Sequence, residues 1–285
     1  MCSGSALPRR RKGSAHGRSA PRALHRGGSR RCDRSTWCCP RGIGFWRPQA
    51  VAGPGEHTAV VGVDIADEIL GYLPATIRDL SGSMLYTGRD AWTGTSDLYL
   101  LGLNPGGHPD IESETVYEQA TRVLHKDPPR FSEYRDGIWG GRPRGAYRMQ
   151  RRLCHLLGGL GLDPGLVPAS NVIFPRSPRA ASLSYEQKQL WAEVCWPFHA
   201  AMIARLGVRV VVCYGADAAD LVRARVGSRR QVDAFVETNR RRWTSRTFTG
   251  GAVTVVQVTH PSIAAWTSPA CDVTPLVLRA LEGRA

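Results

Sequence analysis

The 285 residues allow one α/β domain of roughly 200–250 residues plus a tail, and a hydrophobic content of 42% is enough for a sizeable core. The formal net charge of +14 is uneven: residues 1–50 hold 12 of the 38 Lys and Arg against one acid, Asp33, so they carry +11 and the other 235 residues carry +3. The pI near 10.0 is therefore mostly a property of the tail, and does not by itself make the folded part a nucleic-acid binder; no run of 18 apolar residues offers a membrane span.

Residues 1–55 are rich in Arg, Gly, Ser and Pro and lack apolar periodicity. Such a segment cannot bury enough surface to offset its chain entropy, so a disordered tail is expected. It is read either as a basic arm for DNA phosphates or as an upstream extension foreign to the natural protein. No apolar h-region makes it a secretory signal. The single α/β domain is expected over 56–285. Of the eight cysteines none form C-x-x-C, so the local spacing of a zinc or iron–sulfur site is missing. Cys154, Cys195 and Cys213 lie in apolar contexts and read as buried free thiols, which suits a reducing cytoplasm.

From Asp64, a plausible N-cap, Ile65, Ile69, Leu70 and Leu73 predict a first helix. Met84–Tyr86 reads as a short strand. Leu98–Leu103 is an apolar run stopped by Asn104-Pro105-Gly106-Gly107, the pattern of a central strand delivering a loop to the carboxyl edge of an open sheet. Glu112–Leu124 predicts a helix with Val116, Ala120, Val123 and Leu124 on one face. Pro128–Gly145 is a long Gly-, Pro- and aromatic-rich loop, a length usually tied to function or mobility. Tyr147–Leu160 is helical; Leu166–Phe174 is a second strand or strand-to-loop passage; Leu183–Leu206 is a helix with a kink expected at Pro197. Arg209–Tyr214 is a third strand, Ala216–Val226 a helix, Arg241–Phe248 and Ala252–Val258 a strand pair, and Asp272–Leu281 the last helix. This alternation predicts an α/β fold, a three-layer sandwich with a mainly parallel central sheet flanked by helices.

Three strands end in polar, sharply turning sequence: Gly-Leu-Asn104-Pro, Ala-Ser-Asn171-Val and Val-Thr-His260-Pro-Ser. Parallel strands would bring these ends to one edge. Two amides and an imidazole, with no thiol or second carboxylate, suit polar recognition and stabilisation of a developing anion rather than attack by a protein nucleophile.

This ordered trio resembles the uracil-DNA glycosylase superfamily. Gly102-Leu103-Asn104-Pro105-Gly106 is similar to the first motif of its mismatch-specific and single-strand-selective branches, and His260-Pro261-Ser262 to the second. Asn171 matches the place of the base-reading asparagine. The resemblance implies a monofunctional DNA N-glycosylase acting on DNA that contains a damaged base, as a monomer without metal or redox cofactor. Asn104 would position the attacking water and His260 would donate to the departing base. Asn171 would pair with the Watson–Crick edge of a flipped base. Gly102, Leu103, Pro105 and Gly106 would bind substrate, and backbone N–H groups of the Gly106-Gly107 turn and around Pro261-Ser262 would hold phosphates. Tyr117 either stacks on the base or faces the core. The segment after Gly107 is acidic where a DNA-facing loop prefers neutral or basic residues, and Ile263 is the one obvious apolar wedge. Against this reading stand a non-catalytic DNA- or base-binding module of the same fold, and an α/β enzyme acting on a small nucleotide-like substrate.

Overall fold

The computed structural model describes residues 64–283; the basic tail and the expected boundary at residue 56 lie outside the described residues. In chain order the elements are α1 (Ile65–Gly71), the single turn α2 (Ala75–Arg78), β1 (Leu98–Gly102), α3 (Val116–Leu124), α4 (Arg148–Gly159), β2 (Ala169–Asn171), α5 (Tyr185–Leu206), β3 (Val210–Tyr214), α6 (Ala216–Val226), β4 (Arg230–Val236), β5 (Thr244–Thr249), β6 (Thr254–Val258) and α7 (Thr274–Leu281). The sheet order is β2-β1-β3-β6-β5-β4. The first four strands run parallel and the last two are antiparallel, so the sheet is mixed.

Strand alternation sorts the core into two layers. Tyr99, Leu101, Val211, Cys213 and Val255 face the cluster that includes α1, α3, α5 and α6. Leu98, Leu100, Val210, Val212, Tyr214, Val256 and Val258 face the cluster built with α4 and α7. Both faces of the parallel strands are thus covered, which is why β1 and β3 read as unbroken apolar runs.

Local signals explain most element ends. The Asp64 side chain accepts from the Ala66 N–H and starts α1. Thr115 and Glu118 form a capping box, so α3 begins at Val116 rather than at Glu112. Gly207 and Gly227 take left-handed conformations that close α5 and α6. The helix of α5 continues through Pro197.

Two expectations change. Met84–Tyr86 is not a ladder strand: Leu85 makes only an isolated bridge to Ser170. The buried Gln119 side chain takes the place of a partner strand, its Oε1 accepting the N–H groups of Met84 at 2.9 Å and Leu85 at 3.1 Å. Arg230–Val236, unforeseen in the sequence, is the edge strand β4; most of it is exposed or half-buried, so it lacks an alternating apolar signature. Cys195 and Cys213 are buried free thiols as expected, while Cys154 is only half-buried. Among the described residues no helix is long and apolar enough to cross a membrane.

Candidate active site

The carboxyl ends of β1, β2, β3 and β6 share one edge and open into a cleft of about 1500 Å³ lined by Asn104, Asn171, Tyr214 and His260, among others. The chain reverses direction across the sheet between β1 and β3, the place where open α/β sheets bind ligands. Gly102 forms the floor. It pairs in register with Asn171, and a Cβ built on it would lie 2.3 Å from Asn171 Oδ1 and 3.7 Å from Tyr214 Cδ2. The absent side chain therefore keeps the space between these two residues open.

Asn104 is half-buried just beyond β1. Its Nδ2 donates to the Pro105 carbonyl at 3.0 Å and to Ser177 Oγ at 2.8 Å. Ser177 Oγ in turn donates to the Arg179 carbonyl at 3.0 Å, so it can only accept from Asn104. That chain of donors fixes the amide orientation. Oδ1 is left with no partner among the described residues, an acceptor free for a ligand or a water.

The loop after Asn104 is held by a carboxylate and a guanidinium that themselves line the cleft. Gly107 has φ +105°, and a Cβ there would meet Glu112 Oε1 at 2.0 Å. Glu112 pairs with Arg176 at 2.7 Å, and Arg176 also donates to the Gly106 carbonyl and, at 3.2 Å, to Ser81 Oγ. A carboxylate thus rests against the turn expected to hold phosphate. The acidic stretch is partly neutralised by that arginine.

His260 follows β6. The Ser262 backbone N–H donates to its Nδ1 at 3.1 Å, and Ser262 Oγ lies 2.8 Å from the same nitrogen. An atom that accepts from a backbone N–H carries no proton, so the neutral ring bears its proton on Nε2. Burial holds the imidazole down to about 4, which keeps it neutral through the physiological range. The ring stands edge-on to Tyr214, with centroids 6.3 Å apart. Because the Ser262 N–H is committed to His260, it is not available to a phosphate in this arrangement, contrary to expectation. Pro261 does not line the cleft; its carbonyl accepts from Arg152 Nη1 at 2.6 Å.

Asn171 is nearly fully buried and still lines the cleft. Its Nδ2 donates to the Tyr86 hydroxyl at 2.9 Å. Gly102, Leu103, Pro105, Gly106 and Ser262 line the same cleft. Tyr117 does not: it packs beside the core under the Arg78 guanidinium, 3.7 Å from its ring centre. The 13-residue spacing from Asn104 carried no information about which face of α3 the ring would take.

The aromatic wall comes instead from Tyr86 and the long loop. Tyr86 lies parallel to Tyr134 at 5.7 Å, both meet Trp139 edge-on, and Trp139 reaches Tyr147 at 6.1 Å. Gln150 Nε2 ties the loop by donating to the carbonyls of Glu133 at 2.7 Å and Gly137 at 2.8 Å. Arg135 bridges Asp136 at 2.9 Å and Asp163 at 2.7 Å. Sequence reading gave the loop importance but named neither this wall nor Ser177. Their roles depend on contacts between segments far apart in the chain.

The cleft's carboxylates are largely countered: Glu114 and Glu133 by Arg122, and Asp217 by Lys188. Beside Pro261–Ile263 cations collect. Burial and then neighbouring Arg148 push the Arg152 guanidinium below its ordinary value, with Arg151 and Arg241 adding to the repulsion. Arg241 donates to the Ile263 carbonyl at 3.2 Å and lies over Trp243. Ile263 itself is exposed. Among the described residues no cluster of His, Cys, Asp and Glu has a metal-binding arrangement.

No protein-family model matches the chain, and no curated protein matches it. What the fold and site define is a class: an α/β protein with a polar, aromatic-walled cleft at the carboxyl edge of its parallel strands, equipped with a free amide acceptor and a neutral imidazole donor.

Proposed function

We propose that this chain is a monofunctional DNA base glycosylase that hydrolyses the N-glycosidic bond of uracil or a related deaminated base and leaves an abasic site. The observation that carries the reading is the pairing of Asn104 Oδ1, a free acceptor, with His260 Nε2–H, a donor at neutral pH, on two strand ends around one cleft.

The chemistry follows from these atoms. As the bond between sugar C1′ and the base nitrogen breaks, its electron pair leaves with the base. Positive charge grows on the sugar and negative charge on the base carbonyl oxygens. His260 Nε2–H donates to one such oxygen, in the manner of an oxyanion donor. Asn104 Oδ1 accepts a proton-bearing edge of water and aims its lone pair at C1′. An amide is a weak base, which suffices when the transition state is dissociative and water attacks C1′ late. Water supplies hydroxide to C1′, and its remaining proton ends on the departing base or solvent. Asn171 reads the base edge and the aromatic wall encloses the flipped nucleotide. The arginines around Pro261–Ile263 suit the phosphates on either side.

No lysine lies in the three strand-end loops, and Lys126, which lines the cleft, has its ammonium over the Phe131 ring at 5.7 Å. A Schiff-base step is therefore not part of the proposal, and borohydride should trap no protein–DNA adduct. The test is single-turnover incubation with an oligonucleotide containing one uracil, followed by heating in alkali. Strand scission at that position is expected. Intact strands across uracil, hypoxanthine and xanthine substrates would leave the proposal without support.

A further inference from the structure

An asparagine amide is nearly symmetric in shape, so its partners decide which end is nitrogen. For Asn171 two groups decide it. Nδ2 donates to the Tyr86 hydroxyl at 2.9 Å and faces the Ser83 carbonyl at 3.5 Å. A hydroxyl tolerates either end of an amide, because it can donate or accept. A carbonyl only accepts, so turning the amide would set Asn171 Oδ1 against the Ser83 oxygen. The carbonyl thus chooses the orientation and the hydroxyl supplies the short bond that holds it. Oδ1 is consequently placed above Gly102, on the open side of the floor.

Tyr86 is itself fixed. Its ring stacks on Tyr134 and abuts Trp139. Its N–H donates to the Ala169 carbonyl at 2.9 Å, and its carbonyl accepts from the Glu133 N–H at 2.8 Å. The hydroxyl therefore has little freedom to follow a turning amide.

We propose that Tyr86 is a positioning residue that holds the Asn171 amide in the polarity chosen by the Ser83 carbonyl, and that losing this hold lets the amide turn and weakens the preference for bases carrying a ring N–H beside a carbonyl. Uracil, hypoxanthine and xanthine present such an N–H to Oδ1. Cytosine and adenine present an unprotonated ring nitrogen there, so two acceptors meet. A free amide would turn its N–H toward cytosine and recover the bond; one locked by Tyr86 and Ser83 does not. The inference deepens the glycosylase reading and takes its substrate class from it.

The experiment uses the full chain and Tyr86→Phe, which removes one oxygen and keeps the ring packing; a melting curve checks the fold. Ligand-detected NMR measures binding of free uracil and free cytosine. Single-turnover excision of uracil DNA is measured beside it, with the half-saturating concentration separated from the maximal rate. The wild type should favour uracil over cytosine at least tenfold. Tyr86→Phe should cut that ratio roughly three- to tenfold, the value of one hydrogen bond, and change the maximal excision rate less than the ratio. An unchanged ratio overturns the inference, as does a wild type that binds no uracil. Selective, Tyr86-dependent binding without any excision removes the glycosylase reading and leaves this inference standing.

Discussion

Gly102→Ala is the sharpest single perturbation of the cleft. The added methyl would lie 2.3 Å from Asn171 Oδ1, far inside contact distance, while Tyr214 at 3.7 Å is an ordinary neighbour. The strand backbone needs no left-handed conformation at this position, so the effect falls on the amide. To relieve the overlap by about 1 Å, Asn171 must swing away from Gly102 and loosen its 2.9 Å bond to Tyr86. One weakened buried hydrogen bond costs about 1 kcal/mol, and overpacking typically costs about 1–3 kcal/mol. A loss of about 2–4 kcal/mol lowers the melting temperature of a domain this size by roughly 4–16 °C. Displacing a binding group by about 1 Å typically costs on the order of a hundredfold in rate. The assay is single-turnover excision at a temperature well below the melting transition, paired with differential scanning fluorimetry. If Gly102→Ala melts with the wild type and excises uracil at the same rate, the base does not bind over Gly102 and the site assignment fails.

Other expectations follow from the same geometry. Asn104→Ala and His260→Ala should each lower the single-turnover rate about a hundred- to a thousandfold, about 3–4 kcal/mol, with DNA affinity mostly kept; wild-type rates in both variants would make these residues structural. Burial holds His260 near 4 and His199 near 3, against about 6.5 for a free imidazole, so both are neutral in the folded chain at pH 7. Because the unfolded chain takes up these protons first, stability is intact above pH 6.5 and falls as pH drops toward 4 and then 3, by on the order of a few kcal/mol for each histidine. Urea titrations from pH 8 to pH 4 should show that decline, whereas the part of the excision profile due to His260 should stay flat from about pH 5 upward. Removing residues 1–55 deletes +11 of the +14 net charge and leaves Asn104, Asn171 and His260 in the chain. Excision should survive, and if the segment holds phosphates the slope of log affinity against log salt should become shallower.

The sequence by itself determined the strands that carry chemistry and the residues at their ends. Leu98–Leu101 stopped by Gly, Asn and Pro, and Val210–Cys213 stopped by Gly215, are legible because buried parallel strands need apolar side chains on both faces. Asn104, Asn171 and His260 were found because each sits at the abrupt change from such a run to a turn. The helices α3 and α4 were legible from their 3.6-residue periodicity. What only the tertiary structure decided is how those ends are oriented. The Asn104 amide is set by Ser177, 73 residues away, and the Asn171 amide by Ser83 and Tyr86, 88 and 85 residues away. Gln119 stands in for a strand beside Met84 and Leu85, 35 and 34 residues away. Of the two readings open for Tyr117 only the folded chain decided for the core side, because helical spacing gives a direction relative to its neighbours, not to a distant cleft, and β4 is not legible because an exposed edge strand carries no apolar alternation. Local patterning reports the free energy of burying a segment against some core; hydrogen-bond polarity at a site depends on which distant groups share it, and only the folded chain brings those groups together.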